Sequence, residues 1–315
     1  MKMMNVMNSK ALLCSRKRGG FVLVSVLMLG VLLISCATAF SWFVRQQAKT
    51  VGGERINITA RSMAHVIVTS AINLLSEMAS HIGYDSPTQR WYKPFVVQVD
   101  DIGMMVVQIT PLDDKIPIRN LFLPDGNTLR RELEEPMRKM WESLRHRELE
   151  NILLDFLDRN TRSRVGSTER DNFINRPPFD MSELLILSQD ISPALLYGSD
   201  GVQGIEDYCT IYSDGRINLN VAPVHVMELL PGLDTGGLAE RIAQVRMESP
   251  LETLQDVESI PGASARVSSR LTNIVAFKSR YFQVSIDVIN EADSGIKFDI
   301  IFDRTTKQIV RWEES

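Results

Sequence analysis

Arg16-Lys17-Arg18-Gly19-Gly20-Phe21-Val22-Leu23-Val24-Ser25 opens the stretch that decides the reading of this 315-residue chain. Three consecutive cations end in two glycines, and from Phe21 to Phe43 no Asp, Glu, Lys, Arg or His occurs. As a helix that run extends about 34 Å at ~1.5 Å per residue, enough to cross a bilayer. Lys10, Arg16, Lys17 and Arg18 precede it, while Arg45 and Lys49 follow. The denser N-terminal cluster predicts a cytoplasmic leader with the bulk of the chain across the membrane. An ordinary secretory signal places its cleavage site after the apolar run. Here glycine stands immediately before it.

Working outward, apolar residues recur at Ile56, Ala60, Met63, Ala64, Ile67, Ala71, Leu74, Leu75, Met78 and Ile82. Spacings of three and four describe one face of an amphipathic helix. No proline occurs between Phe21 and Pro87, so the helix is expected from Phe21 to about Ile82, with Gly52-Gly53 as the place for a kink. A second processing reading competes: Leu33-Ile34-Ser35-Cys36 resembles a lipobox, in which Cys36 is acylated and everything before it removed. Cysteine and small residues are also common packing residues of membrane helices. A lipoprotein more often begins with a flexible tether than with a continuing amphipathic helix, which ranks the lipobox second.

The boundary at Gly20 and Phe21 resembles the class III signal of type IV prepilins and type II secretion pseudopilins. That resemblance implies cleavage after Gly20 by a prepilin peptidase, methylation of the new N-terminus at Phe21, and retention of the apolar helix for membrane anchoring and assembly. A single-pass anchor with a chance Gly-Gly remains open at this point.

Composition sets wider bounds. The chain is 44% hydrophobic and 23% charged, as expected of one large or two modest globular domains. Removing Lys2, Lys10, Arg16, Lys17 and Arg18 with the leader leaves 30 basic residues against 39 acidic, a net charge of −9. Such a balance argues against a nucleic-acid partner. Cys14 lies in the leader and Cys36 in the apolar run, so Cys209 alone remains and no intrachain disulfide is expected in the outer domain.

Beyond the helix, Phe95–Val99 and Met104–Ile109 flank a turn at Asp100-Asp101-Ile102-Gly103 and read as a hairpin. Strands are also expected at Tyr281–Ile289, Ile296–Phe302 and Gln308–Trp312, separated by the turns 291–295 and 303–307. Between these β-rich ends the pattern is helical: Leu129–Leu157, with Pro136 near a helix start, then Met181–Leu187, Pro223–Leu230, Gly237–Met247 and Ala263–Phe277. Helix, strands, helical block and strands in that order predict an α+β fold. Its parts are a leader (1–20), an N-terminal helix (21–82), a first part of the sheet domain (83–121), an inserted helical domain (122–275) and closing strands (276–315).

Several middle segments carry a more specific resemblance. Asp155-Phe156-Leu157-Asp158, Gly166-Ser167-Thr168-Glu169, Pro177-Pro178-Phe179 and Glu183-Leu184-Leu185 occur in that order, ahead of Ile217-Asn218-Leu219-Asn220-Val221-Ala222-Pro223. This succession is similar to the type II secretion minor pseudopilin called general secretion pathway protein K. Asp113 to Leu121 looks like the family's earlier Lys-Ile-Asn-Leu-Asn segment in degraded form. The resemblance implies a type IV pilin-like long helix on an antiparallel sheet with a large helical insertion. It also implies family-motif roles for Asp155, Asp158, Glu169, Glu183, Asn218, Asn220 and Pro223. Phe156 in place of the family's Trp, Arg159-Asn160 in place of a more acidic continuation, and Pro117 and Arg119 are departures that weigh against a carboxylate-based metal site.

Ser25 fits a subtype. Ordinary pilins carry Glu as the fifth mature residue, where it pairs with a neighbour's N-terminal ammonium in an apolar filament core. A tip subunit has no neighbour above it to neutralise, and the K family lacks the acid. The resemblance further implies the I- and J-type minor pseudopilins, the major pseudopilin and the prepilin peptidase as partners, and structural calcium as a ligand. Acid-rich loops at Asp200, Glu206, Asp207 and Asp214 could contribute oxygens, but they match no ligand motif, and no residue is assigned to the metal.

Other chemistry finds little support. His65, His81, His146 and His225 have no metal-like spacing, and no nucleophile elbow, phosphate loop or dinucleotide fingerprint is present. Asp155 and Asp158 share a helix face; paired acids there could bind a cation or perform acid–base work, but a solvated helix end is the commoner reading. Val257 to Ala263 with Arg266 and Arg270 resembles half of a helix–hairpin–helix, and Leu229 to Leu233 a similar turn; in an acidic chain both read as scaffold. The expectation is therefore a non-enzymatic inner-membrane subunit of the pseudopilus tip with its bulk in the periplasm. A lipid-anchored binding protein acylated at Cys36 and a membrane-tethered nucleic-acid module are the alternatives.

Overall fold

The computed structural model describes residues 18–100, 103–289 and 295–315. The leader residues 1–17 and turn residues 101–102 and 290–294 lie outside the described residues. Two compact units divide at Ala60 and Arg61.

The first unit is the start of α1 (Arg18–His81), helical throughout its length, Gly52 and Gly53 included. Leu23–Gln47 is long and apolar enough to cross a membrane, and none of it is buried by the rest of the chain. Leu27, Leu33, Phe40 and Trp42 are all exposed. Uncompensated apolar surface on this scale calls for a lipid or protein environment.

In the second unit, α1 is amphipathic. Ala64, Ile67, Val68, Ala71, Ile72 and Leu75 are buried, an i, i+3, i+4 stripe close to the predicted one; Leu74, expected on that face, is instead exposed, and Val68 and Ile72 lie in the core. Following α1, β1 (Phe95–Val99) and β2 (Gly103–Pro111) form the expected hairpin, with Val99 opposite Gly103. Gly103 has φ +107° at the close of the turn, a conformation that side chains resist. The long segment that follows holds β3 (Ile116–Pro117), α2 (Arg131–Ser143), α3 (Leu149–Leu157), α4 (Pro193–Tyr197), α5 (Ile205–Tyr208) and β4 (Cys209–Thr210). It continues with β5 (Ile217–Asn218), α6 (Val224–Met227), α7 (Leu238–Glu248), α8 (Leu254–Glu258), α9 (Ala265–Leu271) and β6 (Val275–Ala276). The chain closes with β7 (Tyr281–Ile289), β8 (Ile296–Asp303) and β9 (Gln308–Glu314).

The sheet order is β1-β2-β7-β8-β9, antiparallel at every pair. Met105, Val107 and Ile109 on β2 and Phe282, Val284, Ile286 and Val288 on β7 are buried in alternation; on β8 Phe298, Ile300 and Phe302 are buried too, but Ile301 and Asp303 join them at the strand's end. Residues 61–81 lie against this sheet. Arg61 pairs with Glu314 at 2.7 Å, His65 stacks on Trp312 with centroids 4.1 Å apart, and Ser76 Oγ donates to the Arg304 carbonyl at 3.4 Å. A second apolar core lies wholly within residues 116–275, built on Trp141, Phe156, Leu133, Met137, Met140, Leu153 and Ile217. None of the five long strands contributes to it.

The helical block differs in detail from its sequence pattern. The predicted segment Leu129–Leu157 is two helices, broken where Arg145 adopts φ +60°. Pro136 sits in the second turn of α2 rather than near its start, buried in the core, so the helix loses one backbone bond and gains an apolar contact. Met181–Leu187 forms 3-10 turns, and the helices near Pro223 and Ala263 shrink to Val224–Met227 and Ala265–Leu271. Residues Val275 and Ala276 instead pair in parallel with Ile217 and Asn218, because the end of the inserted segment must return to the sheet.

Candidate functional site

Where the inserted segment leaves and rejoins the sheet, five chain segments meet in a buried polar junction. Asp85, just after α1, pairs its Oδ1 with Arg304 Nη1 at 2.8 Å and accepts the Ser279 amide on Oδ2 at 2.7 Å. Arg304 also stands over the Phe282 ring, 5.0 Å from its centroid. Asp113, just beyond β2, accepts the amides of Arg280 and Tyr281 at 2.8 Å each and of Asp214 at 3.1 Å. Burial pushes the Asp113 carboxyl up to about 7, against the pull of those donors. Arg280 forks onto Asp303 at 2.6–3.1 Å, and Asp303 also accepts the Thr305 amide at 2.8 Å; these donors outweigh burial and hold Asp303 below its ordinary value.

The asparagine motif belongs to this junction. Asn218 is fully buried on β5 and donates to Ser279 Oγ at 2.9 Å and the Asp85 carbonyl at 3.4 Å. Its backbone amide reaches the Asp113 carbonyl at 2.6 Å, and its Oδ1 accepts the Asn220 amide at 3.0 Å. Asn220, also fully buried, donates to the Leu251 carbonyl at 2.7 Å and accepts the Leu251 amide at 2.9 Å. Pro223 then caps α6, its carbonyl accepting the Val226 and Met227 amides. Beneath the turn, Arg246 is buried, donating to the Leu219 carbonyl at 2.5 Å and the Ala222 carbonyl at 2.7 Å. Burial lowers its affinity for its proton.

The acidic motif residues form a separate cluster. Asp155 and Asp158 are fully buried on and just after α3, which corrects the reading of a solvated helix end. The sequence showed their shared face but not the loop that returns Arg164 over them. Arg164 Nη1 bonds Asp155 Oδ1 at 2.6 Å and also Asp158 Oδ2, and its amide donates to Asp155 Oδ2 at 2.9 Å. Glu169 accepts from Asn175 Nδ2 at 3.2 Å, and Glu183 accepts the Phe179 amide at 3.2 Å and pairs with Arg176 at 3.0 Å. These contacts are structural closures of the loop between α3 and the 3-10 turns.

The loop acids named for calcium do not come together. Glu206 and Asp207 line a cleft of about 590 Å³ between β7–β9 and the inserted segment, whereas Asp200 and Asp214 lie outside it. Asp207 Oδ2 is taken by the Gly204 amide at 2.8 Å, and Asp214 Oδ1 accepts the Arg216 amide at 3.1 Å. Elsewhere in the cleft, Arg311 pairs with Asp180 at 2.6 Å, and burial pushes Asp114 up to about 6. Among the described residues no three His, Cys, Asp or Glu side chains converge on one point. These four acids therefore do not fit a calcium cage.

The remaining positions are quickly placed. Gly20 and Phe21 lie within α1, Ser25 is on its exposed first part, and Cys36 is exposed on the same helix. Cys209 is buried beside Met140, its thiol pushed up to about 12, and is inert packing. In the hairpin-like turn, a side chain at Gly262 would meet Arg241 Nη2 at 2.4 Å. The chain's own arginine thus covers the turn where a phosphate would approach.

Neither a protein-family model nor a curated protein sequence matches the chain. A solved structure does match: one chain of the GspK-GspI-GspJ complex from the enterotoxigenic Escherichia coli type 2 secretion system, at 13% identity and a TM-score of 0.58. The match covers 86% of this chain and 98% of that one, and the fold is accordingly that of a type II secretion pseudopilin.

Proposed function

We propose that the chain is a minor pseudopilin of a type II secretion system, related in role to general secretion pathway protein K. The observation that carries this reading is α1 itself. Its first part exposes an uncharged apolar surface of membrane-crossing length, and its last turns bury an amphipathic stripe on an antiparallel sheet. A helix built this way serves first as an anchor and then as a packing element between subunits. The likeness to a chain of a three-pseudopilin complex supports I- and J-type minor pseudopilins as partners. Ser25 at the fifth mature position supports a place at the tip of the filament. In this reading the prepilin peptidase cuts after Gly20, the major pseudopilin packs below, and the outer domain caps the filament in the periplasm. The subunit supports filament initiation and export across the outer membrane.

The test is the mature N-terminus, measured by mass spectrometry after expression with a prepilin peptidase. N-methylated Phe21 is the expected result. A mature chain starting at acylated Cys36 overturns the proposal in favour of a lipoprotein.

A further inference from the structure

Two fully buried carboxylates three residues apart are an oxygen pair around which a divalent cation assembles, and calcium is the ion that the sequence resemblance implies. At Asp155 and Asp158 the chain places a guanidinium instead. Arg164 Nη1 touches an oxygen of each carboxylate, and the Arg164 amide takes the second oxygen of Asp155. Nη2 reaches the Asn127 carbonyl at 3.4 Å, and the guanidinium lies over the Phe122 ring, 5.6 Å from its centroid. Arg164 thereby ties the end of α3 to the loop ahead of α2. That loop is also held by the Arg159 amide on the Gly126 carbonyl at 3.0 Å and by Asn160 on Asn127 at 3.2 Å.

A calcium ion needs six to eight oxygens at about 2.3–2.6 Å. Nη1 occupies Asp155 Oδ1 and Asp158 Oδ2, so an ion and the guanidinium compete for those two oxygens, while among the described residues Asp158 Oδ1 is buried without a hydrogen-bond partner. Among the described residues no third acid converges on the pair. The neighbouring loop acid, Glu169, is drawn to Asn175 instead. Phosphate- and carboxylate-matching geometry is what a guanidinium supplies better than an ammonium does. We propose that Arg164 is a built-in counter-ion that takes the place of a divalent cation at Asp155 and Asp158, so that this loop is fixed without calcium. The inference concerns the inserted domain alone and does not depend on the secretory role.

Thermal unfolding of the detergent-solubilised full chain, in millimolar calcium and in EGTA, tests it. The wild-type transition is expected at the same temperature in both, and native mass spectrometry of the wild type is expected to show no calcium at this pair. Arg164→Gln should lower the transition in EGTA by about 5–15 °C, with calcium restoring part of the loss. Arg164→Lys should fall between, because it keeps the charge and loses the Nη2 contact with the Asn127 carbonyl and the planar contact over Phe122. A calcium-induced rise in the wild type that Asp158→Asn abolishes would overturn the proposal. So would an Arg164→Gln chain as stable in EGTA as the wild type. A loss in Arg164→Gln that calcium leaves unchanged would also overturn it, since the pair would then not be a cation site. If Arg164→Gln fails to fold, calcium bound to the wild type and lost in Asp158→Asn remains the deciding measurement.

Discussion

Asn220 uses both ends of its amide on one backbone residue, closing a two-bond ring with Leu251 that is wholly out of water. Asn220→Ala removes both partners at once and strands a buried amide and carbonyl, which costs about 2–6 kcal/mol at roughly 1–3 kcal/mol per orphaned group. Chemical denaturation of the variant should show that loss, and a change below about 0.5 kcal/mol would mean that water reaches Leu251. Asp113 makes a different kind of prediction. Its folded value, pushed up to about 7, lies above the ordinary 3.8. The folded state therefore holds a proton that the unfolded state releases, and the contribution of this group falls as pH rises from about 4 to about 7. Asp113→Asn should flatten that part of the stability-versus-pH curve, read from denaturation midpoints at several pH values. An unchanged slope would show that the three amide donors keep Asp113 ionised throughout. The motif asparagines were visible in the sequence as a pattern, but their partners were not. Leu251, Ser279 and Asp85 stand 31, 61 and 133 residues away from the amides they meet.

At the scale of elements, the strands and α1 were the most legible parts, because period 2 and period 3.6 are local signals that the packing reinforces. Every long strand occupies its expected segment to within two residues at each end: β7 spans Tyr281–Ile289 as expected, and β8 ends one residue later, at Asp303. The short helices of the inserted segment were less legible. Their ends are set by a positive φ at Arg145 and by the parallel pairing of Ile217 with Val275, which no window of sequence contains. The α1 stripe gives a direct contrast between two adjacent leucines. Leu75 is fully buried and Leu74 is half exposed. Leu75→Ala should cost about 2–5 kcal/mol through lost burial and the cavity left behind, whereas Leu74→Ala should stay within about 0.5 kcal/mol in the isolated subunit. Similar losses for both would mean that the helix stripe is rotated from the one described.

For residues 61–315 taken together, two apolar cores must unfold either jointly or in turn. One core joins the end of α1 to the sheet, and the other fills residues 116–275. The chain crosses between them twice, near Asp113 and near Ser279, and both crossings are bound into the polar junction. Asp85 is its keystone: it follows α1, pairs with Arg304 beyond β8, and receives Ser279 where the inserted segment returns. Nothing in the local sequence around Asp85 announces this, since its ionic partner lies 219 residues on. Coupling through such a junction predicts a single cooperative transition for these residues in the wild type. Asp85→Ala leaves the Arg304 guanidinium buried and unpaired, a change that costs about 3–5 kcal/mol when a buried pair loses one member. It also frees the Ser279 amide, so the loss falls on the coupling between the cores as well as on their sum. Calorimetry of the variant should therefore resolve two transitions, the lower belonging to whichever core is weaker alone. Hydrogen exchange should assign it, through early loss of protection either in β2 and β7 or in α2 and α3. A variant that still melts in one transition at a lower temperature would place the coupling in the apolar contacts between the layers and not in the junction.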